Sequence, residues 1–240
     1  MKTLFKSDMG RIFKNPLFYI VSVLSLVLLF FVRNSVPDLE YQSKSFTSCF
    51  LLVGNFVIPI LYYYLVFGDD LKYGVFAFDI GRGISRRELI ISKAIEFAVL
   101  LSLFYGLSLG VIVLRLVYVG IPVTMGVLST LLYKLILTEL FQIIGDMFFA
   151  GIFLYQSQNF VIGVLSFIGF RVIGLVYMVS LQDKLHLPIN EVSYDGLVND
   201  GFVALSTGNF PWKLILALMI YIGGAIIISS IVFEKKELDL

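Results

Sequence analysis

The chain has 240 residues, 59% of them hydrophobic and only 15% charged, with a formal net charge of +1. Soluble domains run at roughly 45–50% apolar and about 25% charged, so the composition argues against a soluble catalytic domain, and the near-neutral balance gives no reason to expect a nucleic-acid partner. A single cysteine, Cys49, excludes an intramolecular disulfide, and with a single histidine, His186, the chain is poorly equipped for Cys/His metal sites or His-dependent catalysis.

The apolar residues are bunched into runs of the length that crosses a bilayer as a helix, about 18 residues or more. Residues 1–15 come first and predict an amphipathic surface helix. Leu4, Phe5, Met9, Ile12 and Phe13 recur at helical spacing, and Lys2, Lys6 and Lys14 are among the polar positions. Asn15-Pro16 ends it. Residues 17–32 are the first expected span. No small-x-small cleavage site follows them, so they read as a retained helix rather than a signal peptide. A polar loop, 33–45, leads to the second span, 46–67, which carries Gly54, Asn55 and Pro59. Those three residues suit either a flexible point or packing against neighbouring helices. Residues 68–93 are the most charged stretch of the chain, and 94–114 form the third span.

Residues 121–155 hold only Lys134, Glu139 and Asp146 as charges. As one straight helix they would run ~50 Å against a hydrocarbon core of about 30 Å. The fourth span is therefore placed at 131–155, with 119–130 at the outer surface or partly re-entrant. A tight turn at 156–159 precedes the fifth span, 160–181, which Arg171 interrupts. The loop 182–211 and the sixth span, 212–233, complete the chain. The expected fold is an all-α membrane protein of six transmembrane helices. With the N-terminus inside, eleven Lys and Arg fall in inner segments and five in outer ones. That bias puts both termini in the cytoplasm.

Within 68–93, Ser85-Arg86-Arg87-Glu88 fits a capping box and marks a helix start running into the third span. Gly81 and Gly83 break the chain before it. Residues 70–79 suit a separate short helix presenting Tyr73, Phe76 and Phe78 to a groove on a soluble partner. An ordinary inner loop lying on the headgroups is the other reading. In the fourth span Glu139, Gln142 and Asp146 stand at i, i+3 and i+7 and share one helix face. They suit a polar path lining or proton relay, or else a structural ion pair with Arg171. Centring the hairpin between Ser157 and Gln158 puts Arg171 roughly 3 Å along the axis from Asp146 and about 7 Å from Glu139. Asp146 is therefore the favoured partner.

The stretch 68–93 resembles the loop between the second and third spans of type-2 ABC exporter permeases. Asp70, Gly74, Gly83, Ser85, Arg86 and Lys93 match, in order, an acidic residue before Gly-Thr, a later Gly-x-Ser-Arg and a Lys heading the third helix. Val75 departs from the family's Thr. The resemblance covers the whole chain in layout and about 25 residues in motif. It implies a cytoplasmic coupling helix at 70–80 that docks on a separate ABC ATPase, with Tyr73, Phe76 and Phe78 as the anchors and Asp70, Gly74, Ser85 and Arg86 as further coupling residues, of which Arg86 is expected to matter less for docking. It also implies pairing with a second permease copy or paralogue in the plasma membrane, with export of, or immunity to, membrane-active peptides as a common role. No G-x-x-x-x-G-K-[ST] loop is present, so ATP and Mg are expected on the partner and no cofactor on this chain. A proton-coupled secondary transporter using Glu139 and Asp146 is the alternative. An intramembrane enzyme lacks support, since no H-E-x-x-H occurs, His186 lies in a loop and Gly83-Ile84-Ser85-Arg86-Arg87 does not complete a G-x-S-x-G elbow.

Overall fold

Asn15 and Pro16 divide the first thirty residues into two helices. Pro16 opens the second, where its missing N–H costs nothing, and the Asn15 side chain accepts from the Leu17 amide at 3.0 Å. The two helices, α1 (Lys2–Lys14) and α2 (Pro16–Phe31), meet at a 66° bend. The computed structural model describes residues 2–31, 53–120, 122–173, 197–198, 200–201, 203–204 and 209–235. Every element among them is helical. A third helical run, α3 (53–68), is π-helical at Val53–Val57 and at Tyr64–Gly68. It continues into α4 (Asp69–Lys72), and α5 (Val75–Gly81) follows a turn. The long helix α6 is Arg86–Tyr118. The helix α7, Met125–Ser157, has a π-helical middle at Tyr133–Leu140. Two further helices are α8 (160–173) and α9 (Trp212–Lys235). The chain divides into two compact units, one reaching Ile143 and the other starting at Ile144.

Among the described residues α6, α7 and α9 are long and apolar enough to cross a membrane, and α1–α2 counts as a fourth if the bent pair is one span. The expected spans 46–67 and 160–181 are described only from residue 53 and up to residue 173. The loop 33–45, Cys49, His186, most of 182–211 and the tail beyond Lys235 lie outside the described residues.

The distribution of polarity on these helices is the reverse of a soluble bundle. In α2 the buried positions include Ser22 and Ser25, while Ile20, Val23, Leu24 and Phe31 face outward at 55–68% exposure. The Ser22 hydroxyl shares a hydrogen bond of 2.8 Å with Tyr62. In α9 Ser229 is buried and Leu216, Met219, Ile220 and Ile227 are exposed. Each such apolar side chain would cost roughly 1.5–3 kcal/mol in water relative to burial, whereas hydrocarbon is a neutral surrounding for it. The apolar stripe of α1 behaves differently: Ile12 and Met9 are buried in protein, and only Phe13 is among its exposed large apolar groups.

Two boundaries are fixed locally. Residues 125–130 are helical and continuous with the rest of α7. Thr124 caps that helix by accepting from the Val127 amide at 3.3 Å, and the Ser129 and Thr130 hydroxyls both donate to the Gly126 carbonyl. Hydroxyls that satisfy themselves on the preceding turn let a polar sequence continue as helix. At the other end α7 runs through Ser157, and the turn is Gln158 in the left-handed region (φ 53°) followed by Asn159, which caps α8.

The start of α6 is as expected. Ser85 Oγ accepts from the Glu88 amide at 3.2 Å, and the Glu88 carboxylate accepts from the Ser85 amide at 3.4 Å. Ser85→Ala is expected to cost about 1 kcal/mol of stability, read as a lower thermal midpoint of the detergent-solubilised chain. An unchanged midpoint would show that this cap does not hold the helix end.

Candidate functional site

Asp70 lies one residue into α4 and is 1% exposed. Its carboxylate takes Arg11 of α1 on Oδ1 and Lys93 of α6 on Oδ2, each at 2.5 Å. The Lys93 ammonium also reaches Asp8 at 2.5 Å and Glu96 at 3.3 Å. Glu96 in turn accepts from the Ser92 hydroxyl at 3.0 Å. Helical spacing assembles the set: Asp8 and Arg11 stand three apart on one face of α1, and Lys93 and Glu96 three apart on α6. Three carboxylates and two cations from three elements are thus gathered in the first unit, with Lys93 and Glu96 essentially buried. Asp79, at the end of α5, is buried as well. Its burial, and then the charge on Asp8, push its carboxyl up from the usual range, with Lys93 opposing.

This geometry corrects two expectations about residues 70–80. They are not one helix. Gly74 takes φ +64°, the left-handed conformation that glycine adopts without strain, and separates α4 from α5. Gly83, at φ +92°, makes the second turn. Asp70 points into the charge cluster. Phe76 is only 4% exposed and belongs to the core, so it is not available as an anchor. Tyr73 and Phe78 remain outward, at 69% and 57%. The Lys72 ammonium lies 5.2 Å from the Tyr73 ring and the Arg82 guanidinium 3.9 Å from the Phe78 ring. The outer face of this joint is therefore two aromatic rings, each with a cation over it. Ser85 is exposed and Arg86 half-buried at the foot of α6.

The polar residues of α7 separate by partner. Asp146 accepts from Arg171 of α8 at 3.2 Å and from the Tyr221 hydroxyl of α9 at 2.8 Å, all in the second unit. Gly145 makes this possible: a Cβ there would come within 2.3 Å of the Tyr221 ring. The ring stacks on Phe149, with centroids 4.6 Å apart. Glu139 belongs to the first unit and accepts from the Asn55 side-chain amide at 2.8 Å. Asn55 in turn accepts from the Tyr105 hydroxyl at 3.0 Å. Glu139 lies in the π-helical run that ends at Leu140, while Gln142 and Asp146 lie in the α-helical part that follows. Gln142 is half-buried.

Sequence reasoning found the Asp146–Arg171 pair but missed Asp8, Arg11 and Glu96 around Lys93, the bond from Tyr221 to Asp146, and the role of Asn55. The i, i+3 spacing of Asp8 with Arg11, and of Lys93 with Glu96, was the available signal. Comparison of the chain with family models, with characterised proteins and with solved structures gave no match.

Proposed function

We propose that the chain is the permease subunit of a type-2 ABC exporter, worked by ATP and Mg on a separate ATPase chain. In this reading it has six spans, an N-terminal surface helix and cytoplasmic termini in the plasma membrane. It pairs with a second permease copy or paralogue and moves a membrane-active peptide out of the membrane or cell. The observation that carries the reading is the joint at Asp70. One carboxylate holds both Arg11 and Lys93, so a force on α4 and α5 is delivered to α1 and α6 together. Beyond that joint Tyr73 and Phe78 stand exposed. Aromatic side chains make interface hot spots when they fill a partner's pocket.

The test is purification of the tagged chain in mild detergent from cells that make it. An ATPase carrying a phosphate-binding loop is expected to come with it. Tyr73→Ala and Phe78→Ala are each expected to lower its recovery several-fold, in line with the about 2 kcal/mol typical of a hot spot, without lowering the permease's thermal midpoint. Phe76→Ala is expected to do the opposite, because it opens a cavity in the core. Full recovery from both exposed-ring variants would remove the docking surface. The proton-coupled alternative is less favoured, because Asp146 is engaged by Arg171 and Tyr221 and Glu139 by Asn55. Transport that followed a proton gradient in the absence of any ATPase would reverse that preference.

A further inference from the structure

Residues 69–82 hold three aspartates, Asp69, Asp70 and Asp79, against two cations, Lys72 and Arg82. Along the chain this segment is slightly acidic, but the fold sorts its charges by side. Asp70 and Asp79 are buried and Asp69 is half-buried, whereas Lys72 and Arg82 are exposed. The outward surface around Tyr73 and Phe78 is therefore basic. Among the described residues neither Lys72 nor Arg82 forms an ion pair. Asp79 senses the charge of Arg82, which opposes the rise of its carboxyl, without pairing with it.

The two cations sit differently. The Arg82 guanidinium is 3.9 Å from the Phe78 ring centroid, and the Lys72 ammonium is 5.2 Å from that of Tyr73. A pocket that takes in Phe78 must deal with the guanidinium lying on that ring. Burying the charge unmet is costlier than leaving the ring in water. Pulling it off the ring forfeits the cation–π attraction. A carboxylate in the pocket resolves both, because guanidinium donors fit a carboxylate two at a time. Lys72 is a compact, strongly hydrated charge and suits the rim, where charges steer association more than they hold a complex. An anionic lipid surface would also meet these charges. Phe78 favours a protein pocket, since it lacks the polar tip that suits Tyr and Trp to headgroups.

We infer that the groove receiving this joint is acidic: one partner carboxylate accepts from Arg82 beside Phe78, and a second, at the rim, faces Lys72. The inference deepens the exporter reading and rests on it for the partner, the ATPase.

The experiment reads ATPase recovery with the tagged full chain at about 0.1 M and about 1 M salt, where the screening length is about 10 Å and about 3 Å. Recovery is expected to fall several-fold at the higher salt. Arg82→Gln is expected to lower it about tenfold, the equivalent of one charged hydrogen bond. Arg82→Lys should restore little, because the fork is lost. Lys72→Gln should lower recovery about threefold at the lower salt and flatten the salt dependence. Thermal midpoints should not move, since both side chains are exposed. A carbodiimide, which joins an amine directly to a carboxylate, is expected to link Lys72 to an aspartate or glutamate of the ATPase. In Arg82→Lys the added amine should link as well. An ATPase that comes with the parent chain, is indifferent to salt and to these variants, and gives no cross-link from either position overturns the acidic groove and leaves the exporter reading standing. Unchanged ATPase recovery in Arg82→Gln with loss of retained phosphatidylglycerol would assign the surface to lipid, which also overturns the groove. A parent chain that brings no ATPase overturns both.

Discussion

Lys93→Met is expected to be the most damaging single substitution in the first unit. Lys93 is 1% exposed and its ammonium contacts Asp70, Asp8 and Glu96. Without it three carboxylates share one cation, Arg11. Removing one partner of a buried pair typically costs 3–5 kcal/mol, because the charge left behind is uncompensated. Methionine matches the stem of lysine and leaves no cavity, so the loss reads the charge rather than the packing. The expected outcome is a large fall in monodisperse protein after solubilisation and a much lower thermal midpoint. Lys93→Met with Glu96→Gln should recover part of it, since the amide oxygen still accepts from Ser92 and one carboxylate is gone. Asp70→Asn should cost less than Lys93→Met, because Lys93 keeps Asp8 and Glu96. A double variant no better than Lys93→Met, or a Lys93→Met chain as stable as the parent, would show that the cluster does not hold α1 to α6.

Arg171→Ala is expected to be comparably damaging in the second unit. The guanidinium and the Asp146 carboxylate are 9% and 5% exposed, and their separation is 3.2 Å. The same 3–5 kcal/mol applies to leaving Asp146 alone. Arg171→Ala with Asp146→Ala should regain part of the loss by removing the orphaned charge. Tyr221→Phe probes the third member. It keeps the stack on Phe149 and removes one hydrogen bond to a charged group, an expected cost of about 1.5–3 kcal/mol. Thermal midpoints of the three variants, measured in one detergent, decide the matter. If the double variant is no more stable than Arg171→Ala, the pair is not what stabilises this region. If Tyr221→Phe is silent, the hydroxyl does not share in neutralising Asp146.

These two clusters differ in how far they were legible. Asp146 and Arg171 lie 25 residues apart across a tight turn, so the fixed rise of a helix sets their depths and identifies the partners from sequence. Asp70 and Arg11 are 59 residues apart, and Lys93 and Asp8 are 85 apart. No local spacing relates α1 to the foot of α6. Only the packing of three elements brings those charges together and puts Asp70 in the interior among them. The exposed rings were half legible. Three aromatics within six residues pointed to a surface, but Gly74's left-handed turn separates Tyr73, outward at the end of α4, from α5, which buries Phe76 and leaves Phe78 outward.

The amino-acid sequence by itself determined that this protein is helical and apolar enough to cross a bilayer, because run length and hydropathy act locally and need no partner. It also determined where α6 begins, since a capping box is made within four residues. The tertiary structure alone decided the partners that lie far apart along the chain. Glu139 accepts from Asn55, 84 residues away, and Asp146 from Tyr221, 75 residues away. Such pairings depend on which helices pack together, which a periodic reading of the chain cannot supply.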